Sequence, residues 1–285
     1  MKKRIFILFV MLSILCGCQT TNNASSSTSN VGDYSSVDSS SSQQESTNDT
    51  TKADKLIEQA LKEYTPVGIP ATQEQLKIAQ RGVDASMFAD LVNSEGFIID
   101  FAAKDGEIYP DLETYNKGEG FVEIAPFEQK IGEDIYKVTN FKSLENLLED
   151  TLSGECKEYY MYYDDGSSYF DDFYKDINGK LFARYIGCGS MYYYPKPIIE
   201  KTIVKKAEKD YYLFSVPIAR GYTNTNSSES NEYEVDGLNW YNYEMIKVDG
   251  VWKLNNDVSY DESVHIKVNK DGTATFKVWQ NDITQ

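Results

Sequence analysis

The stretch Trp240-Tyr-Asn-Tyr-Glu-Met-Ile-Lys-Val248, followed by Asp249-Gly250 and Val251-Trp-Lys-Leu254, decides the fold class. Aromatic and β-branched residues on both sides fit pleated, half-buried strands. Asp-Gly supplies the positive φ angles of a tight two-residue turn. Such a turn can only join antiparallel neighbours, because a parallel pair needs a crossover of a dozen residues or more.

The same signal recurs outward from this point. Asn178-Gly179 separates Phe173–Ile177 from Lys180–Ile186, and Asp271-Gly272 separates Val264–Val268 from Thr273–Trp279. Asp105-Gly106 lies between Phe97–Phe101 and Glu107–Tyr109, and a charged turn, Glu208-Lys-Asp210, lies between Ile199–Lys206 and Tyr211–Val216. Helical spacing precedes the hairpins. Leu56, Ile57, Ala60, Leu61 and Tyr64 form an amphipathic stripe from Thr51 until Pro66, Gly68 and Pro70 break it. Thr72 and Gln75 form a capping-box pair ahead of Leu76, Ala79 and Val83, with Met87, Phe88, Leu91 and Val92 prolonging the apolar face. One further helix is expected with Ser143 as cap, Leu144, Leu147, Leu148 and Leu152 inward, and Gly154 as its stop. A shorter helical turn continues that reading through Cys156 to Tyr160. The fold class is therefore α+β, with N-terminal helices followed by a mostly antiparallel, hairpin-rich sheet. Thirteen per cent aromatic residues, 22 of them Tyr, agree with a packed body.

Catalytic chemistry finds little to build on. His265 is the only histidine, and in Val264-His-Ile-Lys-Val268 the alternation sends it outward beside Lys267. No serine sits in a nucleophile elbow, so a triad is not expected. Asp164-Asp165-Gly166 with Asp171-Asp172 lacks the alternating oxygen ligands of a calcium loop and reads as a solvated turn before an acidic strand start. No catalytic residue, cofactor site or metal site is nominated. Cys156 and Cys188 are a candidate disulfide, closing a loop whose bridging would stabilise by roughly 3–4 kcal/mol; two buried thiols remain the alternative. The run Gly187-Cys-Gly-Ser-Met-Tyr-Tyr-Tyr-Pro195 makes Tyr192, Tyr193 and Tyr194 candidate interface residues, since alternation points at least one away from the core. The polar stretch Gly221 to Asn231 reads as a long loop between strands.

The amino terminus carries a different kind of signal. Lys2, Lys3 and Arg4 precede an uncharged run from Ile5 to Leu15, too short to span a bilayer. Leu15-Cys16-Gly17-Cys18 resembles a bacterial lipobox. That resemblance implies cleavage after Gly17, a diacylglyceryl thioether on Cys18, and a place on the extracytoplasmic face of the cell membrane in a Gram-positive type of envelope. The expected organisation is a signal peptide at 1–17, a lipidated cysteine and Ser-rich tether at 18–52, a helical segment at 53–95 and an α+β domain at 96–285. At coil dimensions the tether reaches about 30 Å. Losing a leader with three cations and no acids takes the formal charge from −17 to −20. A polyanion of this size is repelled by nucleic acid, so no nucleic-acid partner is expected. The membrane partner is reached through the acyl chains instead.

Between residues 140 and 256 the order of elements resembles the extracytoplasmic inhibitors of cell-wall DL-endopeptidases. The resemblance rests on Ser143-Leu-Glu-Asn-Leu-Leu-Glu-Asp-Thr-Leu152, Asn178-Gly-Lys-Leu181, the glycines Gly187 and Gly189, Ser215-Val-Pro-Ile218 and Gly250-Val-Trp-Lys-Leu254. It implies a non-enzymatic protein that blocks the cleft of a cell-wall hydrolase, and it assigns no binding residue. The same short motifs recur in NTF2-like sheets, which leaves a small-ligand or sensory domain as the alternative expectation.

Overall fold

A computed structural model describes residues 51–93, 121–162, 166, 168–184, 195–223, 233–256, 259–269 and 271–280. Residues 48–285 form one compact unit, and the class is α+β. The Asp105-Gly106 hairpin lies outside the described residues.

Helix α1 (Lys52–Glu63) starts where Thr51 accepts from the Asp54 N–H while Asp54 accepts from the Thr51 backbone. Helix α2 (Gln73–Asn93) starts on the Thr72–Gln75 box and runs unbroken through Gly82. Of its expected inward residues, Ala79, Val83, Phe88 and Val92 are buried, whereas Met87 is exposed. The helix expected from Ser143 forms as α3 (Phe141–Thr151), but its cap is Asn140. Ser143 sits one turn in and completes a reciprocal box, its N–H donating to Asn140 Oδ1 at 2.9 Å. Gly154 opens rather than closes a helix: α4 (Gly154–Met161) begins there, and a short α5 (Tyr169–Phe173) follows. Asp171 and Asp172 therefore lie in the first turn of α5 and not at a strand start; carboxylates are favoured at the positive end of a helix dipole. No helix among the described residues is long and apolar enough to cross a membrane.

The strands are β1 (Ile69–Pro70), β2 (Phe121–Glu123), β3 (Phe127–Ile131), β4 (Asp134–Val138), β5 (Tyr174–Ile177), β6 (Lys180–Arg184), β7 (Lys196–Pro197), β8 (Ile203–Glu208), β9 (Tyr211–Thr223), β10 (Tyr233–Val248), β11 (Val251–Leu254), β12 (Ser259–Val268) and β13 (Ala274–Gln280). The main sheet runs β1-β8-β9-β10-β12-β13, with β11 added to β10 and β7 to β9. Among the described residues every ladder in it is antiparallel. The Asn178-Gly179 and Asp249-Gly250 turns form as read, with both residues of each at positive φ. Beyond Asp271-Gly272 the pairing resumes only at Val268↔Ala274, so that connection is longer than a two-residue turn. Residues Ile199–Lys201 make a 3₁₀ turn and the strand expected there begins at Ile203. The hairpin β3–β4, turning at Gly132, carries no Asn-Gly or Asp-Gly signal and was not expected.

Period two divides the long strands between two cores on opposite faces. One face of β9 and β10 presents Phe214, Val216, Ile218, Tyr243 and Met245 to the larger core, shared with α2, α3 and α4. The other presents Ala219 and Leu238, with Val264 and Ile266 of β12, to α1 through Ile57 and Ala60. The helical segment is thus part of the same body as the sheet.

Candidate functional site

On the outer side of β12 and β13 the alternation leaves His265 and Lys267 beside Thr275, Lys277 and Trp279, while Ala274, Phe276 and Val278 face α1. Register places Arg220 opposite Gly237, Gly237 opposite His265, and His265 opposite Lys277. A bulge between Val235 and Gly237 inserts Asp236, whose Oδ1 accepts from Arg220 Nε at 2.8 Å. Gly237 leaves room for the guanidinium to lie across the strand; a Cβ there would sit 3.1 Å from Arg220 Nη2. Arg220 Nη2 thereby comes within 3.5 Å of His265 Nδ1. The Trp279 ring centroid is 5.6 Å from that of His265, and Lys277 Nζ lies 5.2 Å from the indole centroid.

Burial, then the neighbouring Arg220 charge, pushes the His265 pKa below its ordinary value; Asp236 opposes this and Lys277 adds to it. A guanidinium has no acceptor to offer, so the contact requires Nδ1 to be the unprotonated nitrogen of a neutral ring. Trp279 is 55 % exposed. The cluster thus offers a flat apolar ring and two ammoniums, Lys267 and Lys277, beside a guanidinium paired with Asp236. It suits contact with an apolar side chain next to a carboxylate.

A second feature lies under α1. A cleft of about 500 Å³ is lined by Leu61, Pro70, Ile203 and Trp240, with Glu58, Lys62, Glu200 and Lys201 also contributing. Trp240 is fully buried, and its Nε1–H finds no hydrogen-bond partner among the described residues.

Most of the residues nominated from sequence lie outside the described residues. Cys156 is buried in the larger core on α4. Cys18, Cys188, Tyr192, Tyr193, Tyr194, Asp164 and Asp165 lie outside the described residues. Asp171 and Asp172 are exposed. Of the long polar loop, Gly221 to Thr223 belong to β9 and the rest is outside. His265 does face outward as expected, yet it is half-buried under Arg220. No group of three or more His, Cys, Asp or Glu side chains among the described residues is placed to hold a metal ion. The Arg220–Asp236–His265 arrangement had one sequence signal, a lone glycine beside an acid inside a strand pattern, which marks a bulge or a close approach. The Trp240 cleft had none, because its other wall comes from a helix nearly two hundred residues away in sequence.

Compared with family models, curated proteins and solved structures, the chain finds no match.

Proposed function

We propose that this chain is a non-catalytic lipoprotein, anchored through Cys18 on the extracytoplasmic face of the cell membrane, that binds a protein partner in the cell-wall space. The partner we favour is a peptidoglycan DL-endopeptidase, which the chain inhibits. The lipobox-like Leu15-Cys18 segment supports the location. The observation that carries the binding reading is Trp279. It is a largely exposed indole on the last strand of the sheet, beside Arg220, His265 and Lys277. Trp and Arg dominate the few residues that supply most binding energy at protein interfaces. The net charge of −17 before processing would draw in a cationic partner over long range, while the local cations would take a carboxylate beside the residue that meets Trp279.

The test adds the mature lipoprotein, held in detergent micelles, to purified DL-endopeptidases acting on cell walls and follows turbidity. Slowed clearing is expected, with Trp279→Ala losing most of the effect at unchanged melting temperature. Undiminished lysis by every such enzyme, or full inhibition by the variant, would overturn the reading. Mass spectrometry of the amino terminus tests the anchor; an unmodified, uncleaved terminus would remove it.

A further inference from the structure

We propose that the cleft between α1 and the β8–β10 side of the sheet binds a small, neutral, largely apolar molecule with a carbonyl oxygen. This site is separate from the Trp279 surface and does not depend on the partner reading.

The argument begins with Trp240. A buried polar hydrogen left without an acceptor costs on the order of 1–3 kcal/mol, and native interiors rarely tolerate one without a reason. Here the unspent donor belongs to a residue lining a cleft of about 500 Å³, within the usual range for small-molecule sites. No acceptor on the rest of the wall lies within hydrogen-bond distance of it. Thr65 donates its hydroxyl to the Leu61 carbonyl at 2.8 Å, and Thr202 donates its own to the Ile199 carbonyl at 2.7 Å. Leu61, Pro70 and Ile203 offer only apolar surface. The cleft thus combines apolar surface from Leu61, Pro70 and Ile203 with charged groups from Glu58, Lys62, Glu200 and Lys201, and has one unused donor at its most buried residue.

That chemistry selects the ligand class. A molecule reaching the indole must bring an acceptor. A carboxylate would have to be stripped of water beside an apolar wall at far greater cost than a ketone, ester or amide oxygen. The charges lining the cleft are balanced, Glu58 and Glu200 against Lys62 and Lys201, so nothing there favours a charged head of either sign. Entry requires α1 to yield slightly, since Trp240 has no solvent exposure. The helix is held by two buried side chains, Ile57 and Ala60, with Ala53, Leu56, Leu61 and Tyr64 partly buried beside them, and an element packed through one face can open locally without global unfolding.

The experiment uses the full mature chain and two probes of nearly equal shape, acetophenone and ethylbenzene, of which only the first carries a carbonyl. The indole N–H signals of Trp240, Trp252 and Trp279 are assigned in nitrogen–proton spectra from single Trp→Phe variants. Acetophenone should shift the Trp240 signal saturably and bind about fivefold more tightly than ethylbenzene, the worth of one net hydrogen bond. In Trp240→Phe that preference should vanish while binding of ethylbenzene remains. Should Trp240→Phe fail to fold, Leu61→Trp fills the cleft from α1 and should abolish the saturable shift with the melting temperature retained. A Trp240 signal that does not move saturably, or equal affinity for the two probes, would overturn the proposal and leave the N–H to an ordered water.

Discussion

Arg220 reaches His265 across Gly237, with Nη2 3.5 Å from Nδ1, because the intervening strand residue has no side chain. The contact exists only while the imidazole is neutral. Burial and Arg220 both lower the His265 pKa from 6.5, with Lys277 assisting and Asp236 opposing. The unfolded chain therefore takes up this proton at a higher pH than the folded one. The associated stability is complete above 6.5 and is lost as pH falls from there through the folded-state value. Urea unfolding from pH 7.5 down to about 5 should show the wild type losing more stability than His265→Asn. In Arg220→Gln the His265 titration, read from its ring protons, should move up toward 6.5. Parallel stability profiles for wild type and His265→Asn would refute the linkage.

Arg81 is the polar centre of the larger core. From the inward face of α2 its Nε donates to the Trp252 carbonyl at 2.7 Å, and Nη1 to Asp134 Oδ2 at 2.6 Å and the Ile131 carbonyl at 3.3 Å. Nη2 donates to the Tyr136 hydroxyl at 3.0 Å. One side chain thus ties α2 to the β3–β4 hairpin and to β11. Asp134 is mostly exposed, so the ion pair itself is worth little. The buried carbonyls matter more, because they would lose their donor. Arg81→Met should cost about 2–4 kcal/mol, seen as a lower denaturant midpoint at unchanged slope, and Arg81→Lys should recover only part of it since an ammonium cannot span the same acceptors.

Elements made by local rules were legible in the sequence, and contacts made across the chain were not. Asn178-Gly179 and Asp249-Gly250 named their own hairpins because positive φ at both positions is a property of those residues. The Thr72–Gln75 box likewise announced α2. At α3 the hydrophobic stripe was plain, but Asn140 and Ser143 are both good caps three residues apart, and only the tertiary entry of the chain from β4 chose between them. The β3–β4 hairpin turns at Gly132, whose N–H donates to Asp84 Oδ2 at 2.8 Å from α2, a partner that no local pattern reveals. The surface around Trp279 depends on register across four strands, and Gly237 alone hinted at it.

The Asn140–Ser143 box predicts coupling. Asn140 Oδ1 accepts from the Ser143 N–H, while Ser143 Oγ accepts from the Thr139 and Asn140 N–H groups at 2.8 and 3.0 Å. Asn140→Ala and Ser143→Ala should each cost about 1 kcal/mol. The double variant should cost less than their sum, because either change frees the other residue from its place. Thermal unfolding of all four proteins checks this, and strict additivity would mean the caps act independently.

Gly82 sets how closely α2 approaches the sheet. A Cβ there would lie 2.6 Å from the sulfur of Met245, which is itself fully buried on β10. In an exposed helix Gly→Ala would gain about 1 kcal/mol from backbone entropy. Here the added methyl must displace the thioether of a fully buried side chain, and overpacking of this kind costs about 1–3 kcal/mol. The steric term is the larger, so Gly82→Ala should destabilise. Met245→Ala alone should be worse, since truncating a buried side chain of this size costs about 2–5 kcal/mol. Placed together, the new methyl of residue 82 occupies part of the space the thioether leaves. The double variant should then be more stable than Met245→Ala alone, which denaturant unfolding of the three variants would measure directly. If adding Gly82→Ala to Met245→Ala lowers stability further, the close approach of α2 to β10 is not what glycine provides.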